Sequence, residues 1–174
     1  MKKVMMTMMM LAVAISLTAS CGQRQQSAAS IEQMTVEEGK MAPDFELPDL
    51  QGKPTKLSSL RGKYVVIDFW GAWCIWCVRG IPNMKEAYAK HKDKMEILGV
   101  DCRDTEAKWK AAVKEHELPW KQVRCPDDKF RGLMEQYSVE GFPTKVIVDP
   151  KGKIVKVVTG EDPSFYTFLD SLFE

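Results

Sequence analysis

No run of like charge stands out in this 174-residue chain, whose 25 basic and 24 acidic residues nearly cancel to a formal charge of +1. That balance excludes the basic face by which a protein grips nucleic acid or an anionic membrane surface. Histidine is scarce: the two present, His91 and His116, stand in charged stretches that predict solvated side chains, so imidazole metal ligation has little to draw on. No internal repeat is visible, which excludes solenoids and propellers. The longest apolar stretch, residues 4–17, is too short for a confident membrane span. With 45% hydrophobic residues the chain can bury one full core but is short for two ordinary domains. One globular domain, monomeric and meeting a protein or a small molecule, is expected.

What is present begins with an export signal. Lys2 and Lys3 form a positive start, the Met-rich apolar stretch follows, and the small residues Ala19 and Ser20 close it. Leu17-Thr18-Ala19-Ser20 before Cys21 resembles the lipobox of bacterial lipoproteins, although Thr18 stands where leucine is usual. That resemblance implies a signal over residues 1–20 and a lipid on Cys21; an ordinary cleaved signal or an uncleaved anchor are the alternatives. Residues 21–40, rich in Gln, Ser, Ala and Glu without sustained periodicity, read as a flexible tether, and the folded domain is expected over 41–174.

Within that domain, residues 45–47 and 53–56 read as a short hairpin and Leu57–Leu60 as one helical turn. Residues 64–69 form a near-continuous apolar strand of the kind buried on both faces. A helix is predicted over 74–90, a strand over 95–100, a helix capped by Asp104 to about residue 117, a short strand over 122–125 and a helix over 130–137. Strands over 144–148 and 154–158 flank the turn Asp149-Pro150-Lys151-Gly152, and Asp162 with Pro163 opens a terminal helix. Alternating strands and helices closed by a hairpin and a helix specify an α/β sandwich with a mixed central sheet.

The chemistry is concentrated in Trp73-Cys74-Ile75-Trp76-Cys77, placed after the apolar strand at the start of a helix. Unpaired N–H groups there favour a thiolate, and in such motifs the cysteine pKa falls from about 8.5 into the range of roughly 3.5 to 7.5. Cys77, three residues on, shares the helical face of Cys74 and can attack a mixed disulfide formed there. The pair therefore cycles with no bound cofactor and no metal.

Asp68-Phe69-Trp70-Gly71-Ala72-Trp73-Cys74-Ile75-Trp76-Cys77, with Pro82 downstream, resembles the thioredoxin active-site segment, and Gly141-Phe142-Pro143-Thr144 resembles that family's cis-proline loop. Ala42-Pro43-Asp44-Phe45 and Leu57-Ser58-Ser59-Leu60-Arg61-Gly62-Lys63 are similar to the lead-in of its TlpA/ResA and thiol-specific-antioxidant branches. The resemblance spans about residues 41–174 and implies a thioredoxin-like three-layer sandwich with an N-terminal β-hairpin extension and an α-β insertion over about 104–125. It implies a thiol-disulfide oxidoreductase of the cell envelope, acting on protein disulfides as a reductant, for example in cytochrome c maturation, and recharged by an electron donor that the sequence does not identify. In it Cys74 attacks, Cys77 resolves, Pro143 is the cis proline beside them, and the Phe142 backbone pairs with a substrate strand.

Pro143 also has a physical reading, since a proline facing two thiols offers no N–H and keeps a metal from bridging them. Asp68, a charge inside an apolar strand, is expensive to bury unless partnered or protonated. By resemblance it moves a proton to or from Cys77; the alternative is a hydrogen-bonded structural carboxylate. Many ResA-type proteins carry an acid where this chain has Gly80. Trp73 is expected to cover the thiols, Trp70 to pack, and Trp76 to shape substrate access. Ile75 and Trp76 replace the Gly-Pro of thioredoxin, which leaves oxidant and reductant directions both open.

Rival chemistries lack their signatures. A zinc site on Cys74, Cys77, Cys102 and Cys125 lacks a second Cys-x-x-Cys. A copper chaperone, a binding module and no enzyme, would want a longer cysteine spacing and a placed histidine. A peroxiredoxin-like thiol peroxidase would want Thr-x-x-Cys, where Trp70-Gly71-Ala72 precedes Cys74. Cys102 and Cys125 fall at the ends of two strands that the resemblance makes parallel neighbours; a second disulfide and two buried inert thiols are both compatible with that. Gly22, and the absence of acid from Gln23-Arg24-Gln25-Gln26, favour a periplasm-facing anchor at Cys21.

Overall fold

The computed structural model describes residues 36–174. The expected signal, Cys21 and residues 22–35 of the expected tether lie outside the described residues.

A small antiparallel hairpin comes first, β1 (Glu46–Pro48) paired with β2 (Pro54–Lys56). Its turn is closed by Asp49, whose carboxylate accepts from the N–H groups of Gln51 and Lys53. A 3₁₀ turn, Leu57–Leu60, leads into β3 (Tyr64–Trp70). Then come α1 (Ile75–His91), β4 (Met95–Cys102), α2 (Glu106–Glu115), β5 (Lys121–Cys125), α3 (Asp127–Gln136), β6 (Thr144–Val148), β7 (Ile154–Thr159) and α4 (Pro163–Phe173). The five later strands make one mixed sheet in the order β5-β4-β3-β6-β7. β3, β4 and β5 run parallel, and β6 is antiparallel to both neighbours.

Strand alternation explains the layers. Val65, Ile67 and Phe69 of β3 join a core with Leu133 and Met134 of α3 and with Leu47 and Leu57 from the hairpin region. Val66, on the other face, packs with Met84 and Ala87 of α1 and Phe165, Leu169 and Phe173 of α4. Four residues on, on that same face, Trp70 packs with Trp109, Ala112 and Val113 of α2 and with Cys74 and Cys77. Each such large apolar side chain contributes about 1.5–3 kcal/mol on burial. The result is the expected three-layer α/β sandwich, with β3 central and its C-terminal end at the cysteines.

Several details differ from the sequence expectation. Contacts begin before residue 41: Val36 packs against the core and the Gly39 N–H donates to the Ile154 carbonyl at 2.8 Å. Thr105, not Asp104, caps α2, its hydroxyl accepting from the Lys108 N–H at 3.3 Å. Asp104 is turned inward and buried. α3 starts at Asp127, with Asp127 and Asp128 in its first turn, where the helix dipole favours acids. His91 is buried, not solvated, because the last turn of α1 packs on α4; its ring lies 2.7 Å from the Asp170 carboxylate and against Phe173.

Candidate active site

β3 delivers the chain to the site, and three residues, Gly71, Ala72 and Trp73, turn it into α1. The end of β4 pins that turn. The Ala72 N–H donates to Asp104 Oδ2 at 2.6 Å and the Trp73 indole N–H to the Cys102 carbonyl at 2.8 Å. Any side chain at residue 71 would press on the Trp73 indole and lie 2.9 Å from that same carbonyl, so glycine is required.

Cys74 is the N-cap of α1, in extended conformation, and its sulfur accepts the Cys77 N–H at 3.1 Å. The two sulfurs are joined as a disulfide with a Cα–Cα distance of 5.2 Å. When the pair is reduced, that same N–H and the helix dipole stabilise a Cys74 thiolate. Both cysteines are nearly buried, while Trp73, Ile75 and Trp76 beside them are 49%, 58% and 57% exposed. The motif therefore shows a partner an apolar rim around a recessed sulfur pair. Arg79 stacks over the Trp76 ring at 5.0 Å.

The Gly141-Phe142-Pro143-Thr144 loop comes to the same place. The Phe142–Pro143 peptide bond is cis. Phe142 meets Trp73 edge-on, with ring centroids 5.3 Å apart, and packs against the cluster that holds Cys74 and Cys77. Its backbone makes no hydrogen bond among the described residues, whereas the neighbouring Pro143 carbonyl accepts from the Gly160 N–H at 2.7 Å. Trp70 is packing, as expected, and its indole N–H reaches Gln122 Oε1 at 3.2 Å.

Asp68 lies on the face of β3 between Val66 and Trp70, under α1, and is 8% exposed. Its Oδ1 has no hydrogen-bond partner among the described residues. Burial pushes its carboxyl above the usual range; Lys145 opposes this and Glu161 adds to it. Lys145 is its register partner on β6 and lies 3.0 Å from Glu161.

Sequence reasoning missed Lys145, Glu161, Asp101 and Asp104. Lys145 carried the same signal as Asp68, a charge inside an apolar strand. Asp101 is wholly buried beside Asp104, and neither of its oxygens has another hydrogen-bond partner among the described residues. Burial, and then the adjoining Asp104 carboxyl, push it up to about 8, so at neutral pH it holds a proton that the two carboxyls can share.

Cys102 and Cys125 are register partners, as expected, and both are free, buried thiols. The disulfide is not formed because in-register neighbours set their Cβ atoms side by side. They face α3, away from Cys74 and Cys77. Burial pushes the Cys102 thiol far up and Cys125 up to about 11, so neither is a ready nucleophile.

Residues 39–157 match the sequence profile of the AhpC/TSA family. The chain is 40% identical over 124 residues to a thiol-disulfide oxidoreductase ResA of Bacillus cereus, covering 71% of this chain and 70% of that protein. It is 32% identical over 161 residues to the ResA of Geobacillus thermodenitrificans, covering 92% and 91%. Among solved structures it resembles the thioredoxin domain of a thiol-disulfide oxidoreductase from Bacteroides vulgatus, with a TM-score of 0.74, 34% identity, and 80% of this chain against 99% of that one. It also resembles a thiol:disulfide interchange protein from a Bacteroides species, with a TM-score of 0.71, 35% identity, and 78% against 90% coverage.

Proposed function

This chain belongs to the AhpC/TSA family, as a thiol-disulfide oxidoreductase of the TlpA/ResA type, and from that premise we propose that it reduces the disulfides of protein partners in the bacterial cell envelope. The observation that carries the reading is Cys74 at the N-cap of α1, its sulfur accepting the Cys77 N–H and bonded to Cys77 one turn away.

The Cys74 thiolate attacks one sulfur of a partner disulfide, forming a mixed disulfide and releasing the partner's other sulfur as a thiolate, which takes a proton. Cys77 then gives up its proton, attacks Cys74 Sγ and releases the partner's second thiolate. The partner gains two electrons and two protons, and this chain is left as the Cys74–Cys77 disulfide, to be reopened by a dithiol donor. Asp68, under α1 and lacking a donor on Oδ1, is the base for the Cys77 proton. The Phe142 backbone, without partners of its own, takes an extended partner segment, with Pro143, Trp73 and Trp76 shaping the approach.

The reducing direction is favoured by charge. Asp68 and Glu161 set two acidic groups against the ammonium of Lys145 below the first turns of α1. A thiolate above them is repelled, and closing the disulfide relieves that repulsion. Cytochrome c precursors are one substrate of this kind. A lipid on Cys21 holds the domain at the periplasmic face of a membrane.

Trapping tests this. A Cys77→Ser protein isolated from envelope fractions should carry partners in reductant-sensitive complexes through Cys74. Reactive Cys74 with no such complexes would contradict the proposed protein-disulfide function.

A further inference from the structure

The side chain missing at Gly80 is as informative as the ones present. Gly80 lies one turn after Cys77, on the same face of α1. A Cβ there would sit 2.9 Å from Glu161 Oε1 and closer still to Oε2. The Glu161 carboxylate therefore occupies the space beneath the helix that any other residue at 80 would fill. It reaches in from the segment between β7 and α4 and is held on both oxygens, by the Tyr166 hydroxyl at 2.5 Å and by Lys145 Nζ at 3.0 Å. The Lys145 and Glu161 side chains are only 3% and 14% exposed. Lys145 pairs in register with Asp68, whose neighbour on the same strand face, Trp70, packs on Cys74 and Cys77.

We propose that Glu161 is a positioning residue for the resolving step, holding the Lys145 ammonium between itself and the Asp68 carboxylate so that Asp68 keeps enough basicity to take the Cys77 proton. This rests on Asp68 being that base. The titratable groups that act on Asp68 are Lys145 from β6, Glu161 from the segment before α4, Tyr166 from α4 and, from the end of β4, Cys102; Cys77 of α1 packs on Trp70, the next residue of that strand face. An ammonium paired to Asp68 alone would hold it as a firm anion and a poor proton acceptor. Glu161 takes up part of that charge, and Gly80 makes the room.

The test separates the two sulfur steps. Reduced protein is mixed with limiting dithiobis-nitrobenzoate, a chromogenic aryl disulfide. Cys74 attacks and frees one aryl thiolate; Cys77 then loses its proton, attacks Cys74 Sγ and frees the second. Following both releases from pH 5 to pH 9 gives the pH limb of each. In Glu161→Gln the second-release limb should move about one pH unit lower relative to the first, because a negative neighbour of Asp68 is gone. In Lys145→Gln it should move the other way, a pair of opposite signs that loss of packing does not produce. Should Glu161→Gln not fold, Glu161→Asp, whose carboxylate is drawn back by one methylene, should give a smaller shift of the same sign. Second-release limbs that superimpose on wild type in these variants, while Asp68→Asn loses its limb, would overturn the role of Glu161 and leave Asp68 standing as the base. A limb that survives in Asp68→Asn would overturn both.

Discussion

Buried carboxyls decide much of the behaviour of individual residues here. Asp101 is pushed up to about 8 by burial and by Asp104, against about 3.9 in an unfolded chain. The folded state therefore holds the proton more tightly, so the stabilisation is complete below pH 4 and is lost as pH rises through 8. Asp101→Asn, whose amide mimics the protonated acid, should gain on wild type by about 3 kcal/mol between pH 5 and pH 8 in denaturant melts. A constant difference across that window would contradict the shared proton. Asp68 is shifted in the same direction by burial, so Asp68→Asn should raise stability near neutral pH while slowing the resolving step. An unchanged exchange rate from pH 6 to pH 9 would leave Asp68 a structural carboxylate. Asp68 was legible because one charge interrupts an apolar strand. Glu161 was not, because nothing local marks it, and its place depends on the β3–β6 register and on the gap at Gly80.

Secondary-structure elements were easier to read at their centres than at their ends. β3, α1 and the β6–β7 hairpin follow from apolar runs, a cysteine motif and an Asp turn, and Asp162 caps α4 with its carboxylate on the Ser164 N–H as expected. The start of α2 misled because Asp104 and Thr105 are both good caps. The tertiary structure assigns Asp104 to the active-site turn, where it accepts the Ala72 N–H, and leaves the capping to Thr105. Thr105→Ala should therefore cost about 1 kcal/mol in a denaturant melt with thiol reactivity unchanged. Asp104→Ala should cost more and also alter Trp73 fluorescence, since it strands the Ala72 N–H and removes the partner of Asp101. Equal effects of the two variants would contradict this division of roles. His91 was misread for a related reason: charged neighbours such as Lys90 and Lys92 hide the fact that its own position faces α4.

Across the whole molecule, the α/β sandwich and its sulfur pair were legible because strand alternation and three separated motifs agree. The domain's first contacts were not, since a bridge such as Met41 to Lys153 joins residues distant in sequence and the Gln- and Ser-rich stretch carries no periodicity. Growth in labelled palmitate should mark the wild type and not Cys21→Ala; label in neither would leave an ordinary signal or an unprocessed anchor. The central claim is that Cys74 and Cys77 exchange disulfides as a dithiol, and the reduction of insulin disulfides by the reduced protein tests it most directly. Wild type should precipitate the insulin chains with dithiothreitol as donor, and Cys74→Ser, folded but lacking the thiolate nucleophile, should fall to the rate of the donor alone. Insulin reduction that persists in Cys74→Ser would contradict it.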